Sequence, residues 1–490
     1  MERFVATQNL VNEEFRKQNL NNNKTHIVVK SLKTRNKGME TQISLLAQTP
    51  LCPFPERHAD VVTASREKQI ENPKEMLSLL NVKPILRFRC VNKYWDTLIT
   101  DPIFVNLHLK KSAKRNTHFL LITQHVTDIP CVSSNGSDDR YVRDYGVIPY
   151  SVSTLLDNPS FTLSVDEKYL VQPKGCSNIV GSCNGLICLV ARPVTRQYYE
   201  YSFRLWNPAT RMTSPKFGFL RLFHNTSVFP SSYDGHYNFL FGYDNSTDTY
   251  KVVASRYNTR ERSSDVRILS MGDKVWRDIE SFPVVPLHFG AGSELSVNNC
   301  GVYFKSSINW LAIQNKLWYH RMDIKNITVK QFVIVSLDLG TETYRLYLPP
   351  SGFDQVPPYE PNVGVLGDCL SFSYCHNETH LIIWQMKKFG IQDSWTQFLK
   401  ISYHNLQIRY DYSDEYMKYH FNIVPSFLSK NDDTLILHCN QEISQAILYN
   451  WRNNTVVRAK ITARKTITDD SSLNDALCAA DYFESLVSVF

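Results

Sequence analysis

The sequence predicts a mainly β protein with a small α-helical module toward its N-terminus, and three observations lead there. First, tyrosine and phenylalanine are abundant, 26 of each, beside only 18 glycines and 22 prolines, and aromatic side chains favour strands over helices. Second, from Thr117 onward the chain reads as short apolar runs separated by turn residues. Examples are HFLLITQHV, NGLICLVA, FRLWNPATR, TYKVVASRY, GVYFKSSINWLAI, FVIVSLDLG, THLIIWQM and TLILHC. Such spacing marks an all-β sandwich, barrel or propeller. Third, strand pairs recur: a run such as GLICL, VYF, CLSF or LILH is followed by one carrying an aromatic residue and then a turn. The second runs are LWNPATR near 206, VWRDI near 276, VSLDLGTETY near 338, LIIWQM near 384 and LYNWRNNT near 450. Their intervals of about 70, 62, 46 and 66 residues are irregular, but they scatter around the ~50-residue period of kelch-type blades carrying inserted loops. Repeated four-stranded blades accommodate about 370 residues where a single sandwich does not. Residues 117–490 are therefore expected to form a degenerate β-propeller-like domain.

Taken in order, residues 1–67 are polar, rich in Asn, Lys and Gln, and without sustained periodicity; they are expected to be a disordered leader. Residues 68–109 are expected to be the helical module. Its first part, KQIENPKEMLSLL, contains Pro73, which would cost a helix running through it about 3 kcal/mol. Either the helix starts later, with Asn72 as cap and Pro73 as first residue, or this part of the module is damaged. From Leu80 to Leu109 the pattern predicts a short helix, a turn and a second short helix. Val82, Leu86 and Cys90 fall on one face at i, i+4 and i+8, and Ile85, Phe88, Val91 and Trp95 gather on another. Lys83/Arg87 and Arg89/Lys93 lie between. Two apolar faces on so small a helix imply that one meets its own domain and the other meets a partner.

Residues 110–116 hold Lys110, Lys111, Lys114 and Arg115 and are read as a basic linker. A nucleic-acid surface needs a longer basic stripe interleaved with aromatics, so no nucleic-acid partner is expected. Within the β region, Asn207-Pro208 opens a turn, because Asn bonds its own backbone and Pro presets φ, and Trp206 is expected to pack between blades. The Asp244–Asp248 cluster reads as a hairpin loop. It lacks the Gly and the distal Glu of an EF-hand. Asp338 and Gly340 bracket another hairpin.

The overall charge of +7 is thinly spread. Eleven cysteines, with no C-x-x-C pair and no regular framework, read as buried thiols in a reducing compartment. The N-terminal residues lack an apolar core of signal-peptide type, and no run reaches the ~18 apolar residues of a membrane span. A cytoplasmic or nuclear protein, without a membrane partner, is expected. No phosphate-binding loop, dinucleotide fingerprint, H-E-x-x-H or G-x-S-x-G is present. Gly181-Ser182-Cys183-Asn184-Gly185 comes nearest to a nucleophile elbow but lacks its spacing, and His404 and His420 are too far apart to read as ligands. No catalytic residue, metal or cofactor is expected.

The segment LNVKPILRFRCVNKYWDTLITDPIFVNLHL closely resembles the second half of an F-box. Leu80, Val82, Lys83, Leu86, Arg87, Phe88, Arg89, Cys90, Val91, Lys93, Trp95, Leu98, Ile99, Asp101, Pro102 and Phe104 match in register. Pro84 replaces the usual Ser, as the first turn of a helix allows; the Leu-Pro start of the first F-box helix is missing. A second resemblance covers most of the remaining chain. IVGSCNGLICL, LWNPATR, FGYDNSTDTYKVV, VWRDIESFP, GVYFKSSINWLA, WQMKKFGIQDSWTQF and the C-terminal DYFESLVS are similar, in order, to the F-box-associated domain of plant F-box proteins.

These resemblances imply a substrate-recognition subunit of a Skp–cullin–F-box ubiquitin ligase. The F-box-like segment would dock a Skp-type adaptor, and through it a cullin, using Leu80, Val82, Ile85, Leu86, Cys90, Val91, Trp95 and Leu98, some as contacts and some as core. The β domain would hold an unidentified target protein for ubiquitylation, which is catalysis by proximity supplied to another enzyme. The alternative is a protein-binding propeller whose F-box has decayed. An enzymatic propeller would require carboxylates converging on the channel wall.

Overall fold

The computed structural model describes residues 73–113, 118–130, 141–163, 178–191, 198–223, 237–258, 263–287, 301–314, 327–408, 423–429, 433–439, 445–463 and 476–489. The expected leader 1–67, the linker residues Lys114 and Arg115, and His420 lie outside them. The described residues fall into two compact units, residues 88–96 and the remainder.

Among the described residues four helices precede the strands: α1 (Pro73–Leu77), α2 (Val82–Arg89), α3 (Lys93–Thr100) and α4 (Pro102–Ala113). Pro73 opens α1 and Pro84 sits in the first turn of α2, both positions where a missing N–H is harmless. Two expectations are corrected. Three helices, not two, follow Leu80, and α4 runs on through Lys110 and Lys111 to Ala113, where a linker was expected.

The strands form six sheets among the described residues, blades I to VI in chain order. Blade II (Asn178–Cys183, Leu186–Ala191, Tyr198–Asn207, Met212–Thr213), blade III (Asn238–Asp244, Thr249–Asn258, Ser263–Ser270, Arg277–Asp278) and blade V (Asn362–Leu366, Cys369–His376, His380–Met386, Trp395–Ser402) are antiparallel meanders. Blade II also carries Phe217–Phe223 along Tyr198–Asn207. Blade IV (Val302–Phe304, Ser307–Ile313, Phe332–Asp338, Tyr344–Tyr347) gains the short Val285–Pro286, and blade VI begins with Ile423–Leu428, Thr434–Cys439, Gln445–Asn450 and Thr455–Ala463. The first strands of blades II to VI contact one another in succession, and Ala476–Phe483 joins the sixth to the second, so that a ring of six closes.

Closure uses both ends of this region. Blade I is built from the C-terminal Ala476–Phe483 paired to His118–Pro130, which pairs in turn with Tyr141–Ser151. The chain then passes through a short helix, α5 (Val152–Asp157), to Ser160–Leu163, which adds to blade VI in parallel with Lys460–Ala463. Val152 and Leu155 of α5 pack on Ile436, Ala446 and Leu448 of that blade.

The seams between blades hold the core. Phe241 and Val252 of blade III meet Phe203 and Leu205 of blade II, Trp310 and Val335 of blade IV meet Val253 and Ile268 of blade III, and Phe332 of blade IV meets Phe372 and Tyr374 of blade V. Because both faces are covered, inner strands such as Leu186–Ala191 and Ser307–Ile313 are buried along their whole length, which is why they read as unbroken apolar runs. Trp206 does pack between blades, against Tyr482 of blade I. Gly242 is required by close approach: a Cβ there would lie 2.5 Å from the Tyr303 ring of the next blade.

One turn recurs. At Asn207, Asp338 and Asn450, each ending the third strand of its blade, the side-chain Oδ1 accepts two backbone N–H groups, from Ala209 and Thr210, Gly340 and Thr341, and Arg452 and Asn453. Four residues on, Arg211, Glu342 and Asn454 have positive φ of 60°, 58° and 52°. Asp244 starts the same device on the Asn238–Asp244 hairpin, with Asp248 at φ 56°. The repeat seen in sequence is thus an Asx turn closed by a left-handed residue. VWRDI breaks the pattern: Arg277–Asp278 is the outer fourth strand, and the third strand of blade III is Ser263–Ser270.

Candidate interaction surfaces

Asp101 accepts the Ile103 N–H at 3.0 Å, with Pro102 as first helical residue, so that Asp101-Pro102 is the N-terminal cap of α4. That backbone bond, with the Lys74 ammonium at 3.1 Å, holds the Asp101 carboxyl below its ordinary range. Lys111 pairs with Glu75, and buried His108 donates from Nε2 to the Leu80 carbonyl at 3.1 Å. Within residues 88–96, the Phe88 and Trp95 rings lie 5.7 Å apart and Tyr94 meets Trp95 edge-on at 5.5 Å. Asn92 Oδ1 accepts the Trp95 N–H at 3.1 Å and caps α3.

The expected docking residues divide into three groups. Val82, Ile85 and Leu98 are buried; they are core and offer no surface to a partner. Leu80, Leu86 and Trp95 are half-buried, and Cys90 and Val91 are exposed. The helix ends at Arg89, so Cys90 stands in the turn and does not continue the Val82–Leu86 face. The buried pair, Val82 and Ile85, takes one residue from each of the two expected faces. Sequence reasoning missed Leu79, Tyr94 and Ile103, which are 55%, 55% and 73% exposed. Apolar residues flanking the buried positions were the available signal.

The C-terminal residues run from blade I onto blade II. Asn207 Nδ2 donates to the Ser485 and Val487 carbonyls at 3.1 and 2.8 Å, and Ser485 Oγ donates to the Asn184 carbonyl at 2.8 Å. Gly185, with φ 77°, leaves room for this tail: a Cβ there would come within 2.8 Å of the Phe483 carbonyl. Leu486 and Val489 are buried. Burial raises the Glu484 pKa, against the smaller lowering effects of the Val82 backbone N–H and of Lys83.

Elsewhere the polar clusters are structural. Lys251, 4% exposed, joins blades III and IV by bonding the Leu339 carbonyl, Asp244 at 3.1 Å and Glu342 at 3.2 Å. Burial would raise the Asp244 carboxyl, but the Ser246 and Thr247 hydroxyls, the Ser246 amide and Lys251 outweigh it and hold it well below the carboxylate range. Asp265 is likewise lowered, its burial outweighed by Tyr237 at 2.5 Å and by Arg267 and Arg256. Burial pushes the Cys183 thiol up to about 12, which leaves it inert as a nucleophile. Among the described residues no His, Cys, Asp or Glu group is arranged to hold a metal ion, and no helix is long and apolar enough to cross a membrane. Exposed apolar side chains on the propeller include Phe219 and Phe223 on the outer strand of blade II, and Leu346, Leu348 and Ile391 near the blade IV–V seam.

The F-box associated beta propeller domain family matches residues 141–489. The chain belongs to this family of plant F-box proteins. The F-box protein is 26% identical to an F-box/kelch-repeat protein of Arabidopsis thaliana over 68% of this chain and 79% of that one. It is 23% identical to the F-box protein CPR1 of the same plant over 66% and 70% of the respective chains. The β-propeller domain of the Trilobed protease from Pyrococcus furiosus superposes with a TM-score of 0.31 at 9% identity over 58% of this chain and 69% of that one. The matched motifs are fold determinants: LWNPATR and FGYDNSTDTYKVV supply Asx turns, and DYFESLVS is the closing strand with its tail.

Proposed function

We propose that this F-box protein is the substrate-recognition subunit of a Skp–cullin–F-box ubiquitin ligase. The helical module docks a Skp-type adaptor, which bridges to a cullin, while the propeller holds a target protein near the ligase-bound ubiquitin conjugate. The observation that carries this reading is a helical module with an F-box-like sequence and exposed Leu79, Val91, Tyr94 and Ile103, placed directly before an F-box associated propeller. Exposed large apolar side chains such as neighbouring Val91 and Tyr94 suit a partner better than solvent. The subunit itself is non-catalytic in this reading. We place it in the cytoplasm or nucleus, where cysteine thiols such as buried Cys183 and Cys375 stay reduced.

The five-residue α1, begun at Pro73, favours the second reading, a binding propeller whose F-box no longer reaches a ligase. Size-exclusion chromatography of the full chain with a purified Skp-type adaptor and a cullin separates the two. A co-eluting three-component complex, lost in the Val91→Asp/Tyr94→Ala variant, supports the ligase subunit; a folded chain that elutes alone supports the second reading.

A further inference from the structure

On the reading that the propeller holds a target protein, we infer that the target docks on the outer edge of blade II, along Phe217–Phe223. The segment it offers there is extended and alternates apolar residues with carboxylates. Phe217–Phe223 pairs on one side with Tyr198–Asn207 and, among the described residues, with no strand on the other. Leu220 is buried, while Phe219, Arg221 and Phe223 at i, i+2 and i+4 stand on the solvent face. Phe219 is 58% and Phe223 67% exposed. Outer strands are ordinarily short, polar or covered, because an open apolar edge invites pairing with another chain. Arg277–Asp278 of blade III is two polar residues. Trp395–Ser402 of blade V exposes Thr396, Gln397 and Lys400, and Ser160–Leu163 covers the corresponding strand of blade VI. Blade II departs from that rule over seven residues.

Contacts within the blade order this face. Arg221 Nε donates to Glu200 Oε1 at 2.8 Å, and its guanidinium lies over the Tyr198 ring, 4.8 Å from the centroid. Tyr198, opposite Phe223 in the register, meets that ring edge-on at 5.5 Å. Anchors already held in place lose little freedom on binding. Charge selects the occupant. The described residues of blade II hold Arg204, Arg211, Lys216 and Arg221 against a single carboxylate, Glu200, and Arg211, Lys216 and Arg221 are exposed. A second copy of this strand would set like charges against each other, whereas an acidic segment is complementary. A single-stranded nucleic acid fits less well, since Arg221 is engaged by Glu200 and Arg204 Nη1 donates to the Ser214 carbonyl at 3.0 Å. An added strand bonds the open backbone edge and lays alternate side chains on Phe219 and Phe223.

Fluorescence anisotropy of the full-length chain with a labelled synthetic peptide of alternating valine and glutamate tests this. The peptide should bind at least about tenfold more tightly than its valine–lysine counterpart. It should also bind at least about tenfold more tightly than a version with prolines at its central valines, which cannot complete a ladder. Phe219→Ser/Phe223→Ser should weaken binding by about tenfold or more and Lys216→Glu by about threefold, both with the wild-type urea midpoint. Failure of the valine–glutamate peptide to bind would overturn the docking strand, as would equal binding of the lysine or proline peptides, or variants that bind like wild type. So would a chain that ignores the peptide and binds oligouridylate, or one that sediments as a dimer broken by Phe219→Ser/Phe223→Ser. Peptide binding by a chain that does not bind the adaptor would count against the ligase subunit and for the docking strand, which tells the two failures apart.

Discussion

The helical module and the propeller treat their apolar residues differently. In the propeller, strands such as Ser307–Ile313 are covered on both faces by the neighbouring blades, and the eight exposed large apolar side chains among its described residues are spread over blades II to VI. The module keeps four within the short span 73–113, among them Ile103 at 73% exposure, while burying Leu77, Val82, Ile85, Leu98, Ile99 and Phe104. Burial in the ring is explained by folding alone. Exposure on the module is not.

Substitutions can break this comparison. The largest effect is expected in the ring. Phe372→Ala, at a fully buried position in the blade IV–V seam, should cost about 3–5 kcal/mol in urea unfolding; a loss under about 1 kcal/mol would mean the seam is not the core. Next comes Asn207→Ala, which removes an Asx turn and both bonds to the tail and should cost about 2–3 kcal/mol.

Acid should act on the ring through Asp244 and Asp265. Both carboxyls sit below their ordinary values, so the stability they contribute is present above the unfolded value of about 3.9 and is lost as pH falls toward the folded values. Urea midpoints should therefore drop below about pH 4, and Asp244→Asn should flatten part of that fall. Glu484 has the opposite sign: its raised pKa makes its contribution decline as pH rises through the ordinary glutamate range near 4.3. The smallest stability effect belongs to the module surface. Val91→Asp and Tyr94→Ala should each change the unfolding free energy by no more than about 0.5 kcal/mol, and a larger loss would show that these residues are core after all.

Much of the ring was legible because its signals are local. Apolar runs bounded by turns located the strands, and Asn207, Asp338 and Asn450 announced their hairpins through residue chemistry. The closure was not legible. Pairing His118–Pro130 with Ala476–Phe483, and Ser160–Leu163 with Thr455–Ala463, joins segments hundreds of residues apart that carry no mark of their partners. VWRDI misled because Trp276 lies just before the outer strand Arg277–Asp278, its indole donating to the Gly218 carbonyl, so an aromatic alone did not identify a third strand. In the module, the expectation separated Val82 and Ile85 onto two faces, although residues i and i+3 of a helix lie on the same one. The helix stops at Arg89, and both are buried. Sequence matching named the residues of the F-box-like segment but did not separate those that hold it together from those it exposes.

The comparison is tested most directly by calorimetric titration of a purified Skp-type adaptor into the full-length chain, into Val91→Asp/Tyr94→Ala, and into Leu346→Asp/Leu348→Asp as an exposed apolar control on the ring. The wild type and the ring control should bind alike, and the module variant should bind at least ~30-fold more weakly, as expected when an exposed aromatic anchor is removed. A folded wild type that does not bind, or a module variant that binds as tightly as the ring control, would contradict the assignment of the module as the adaptor-docking surface.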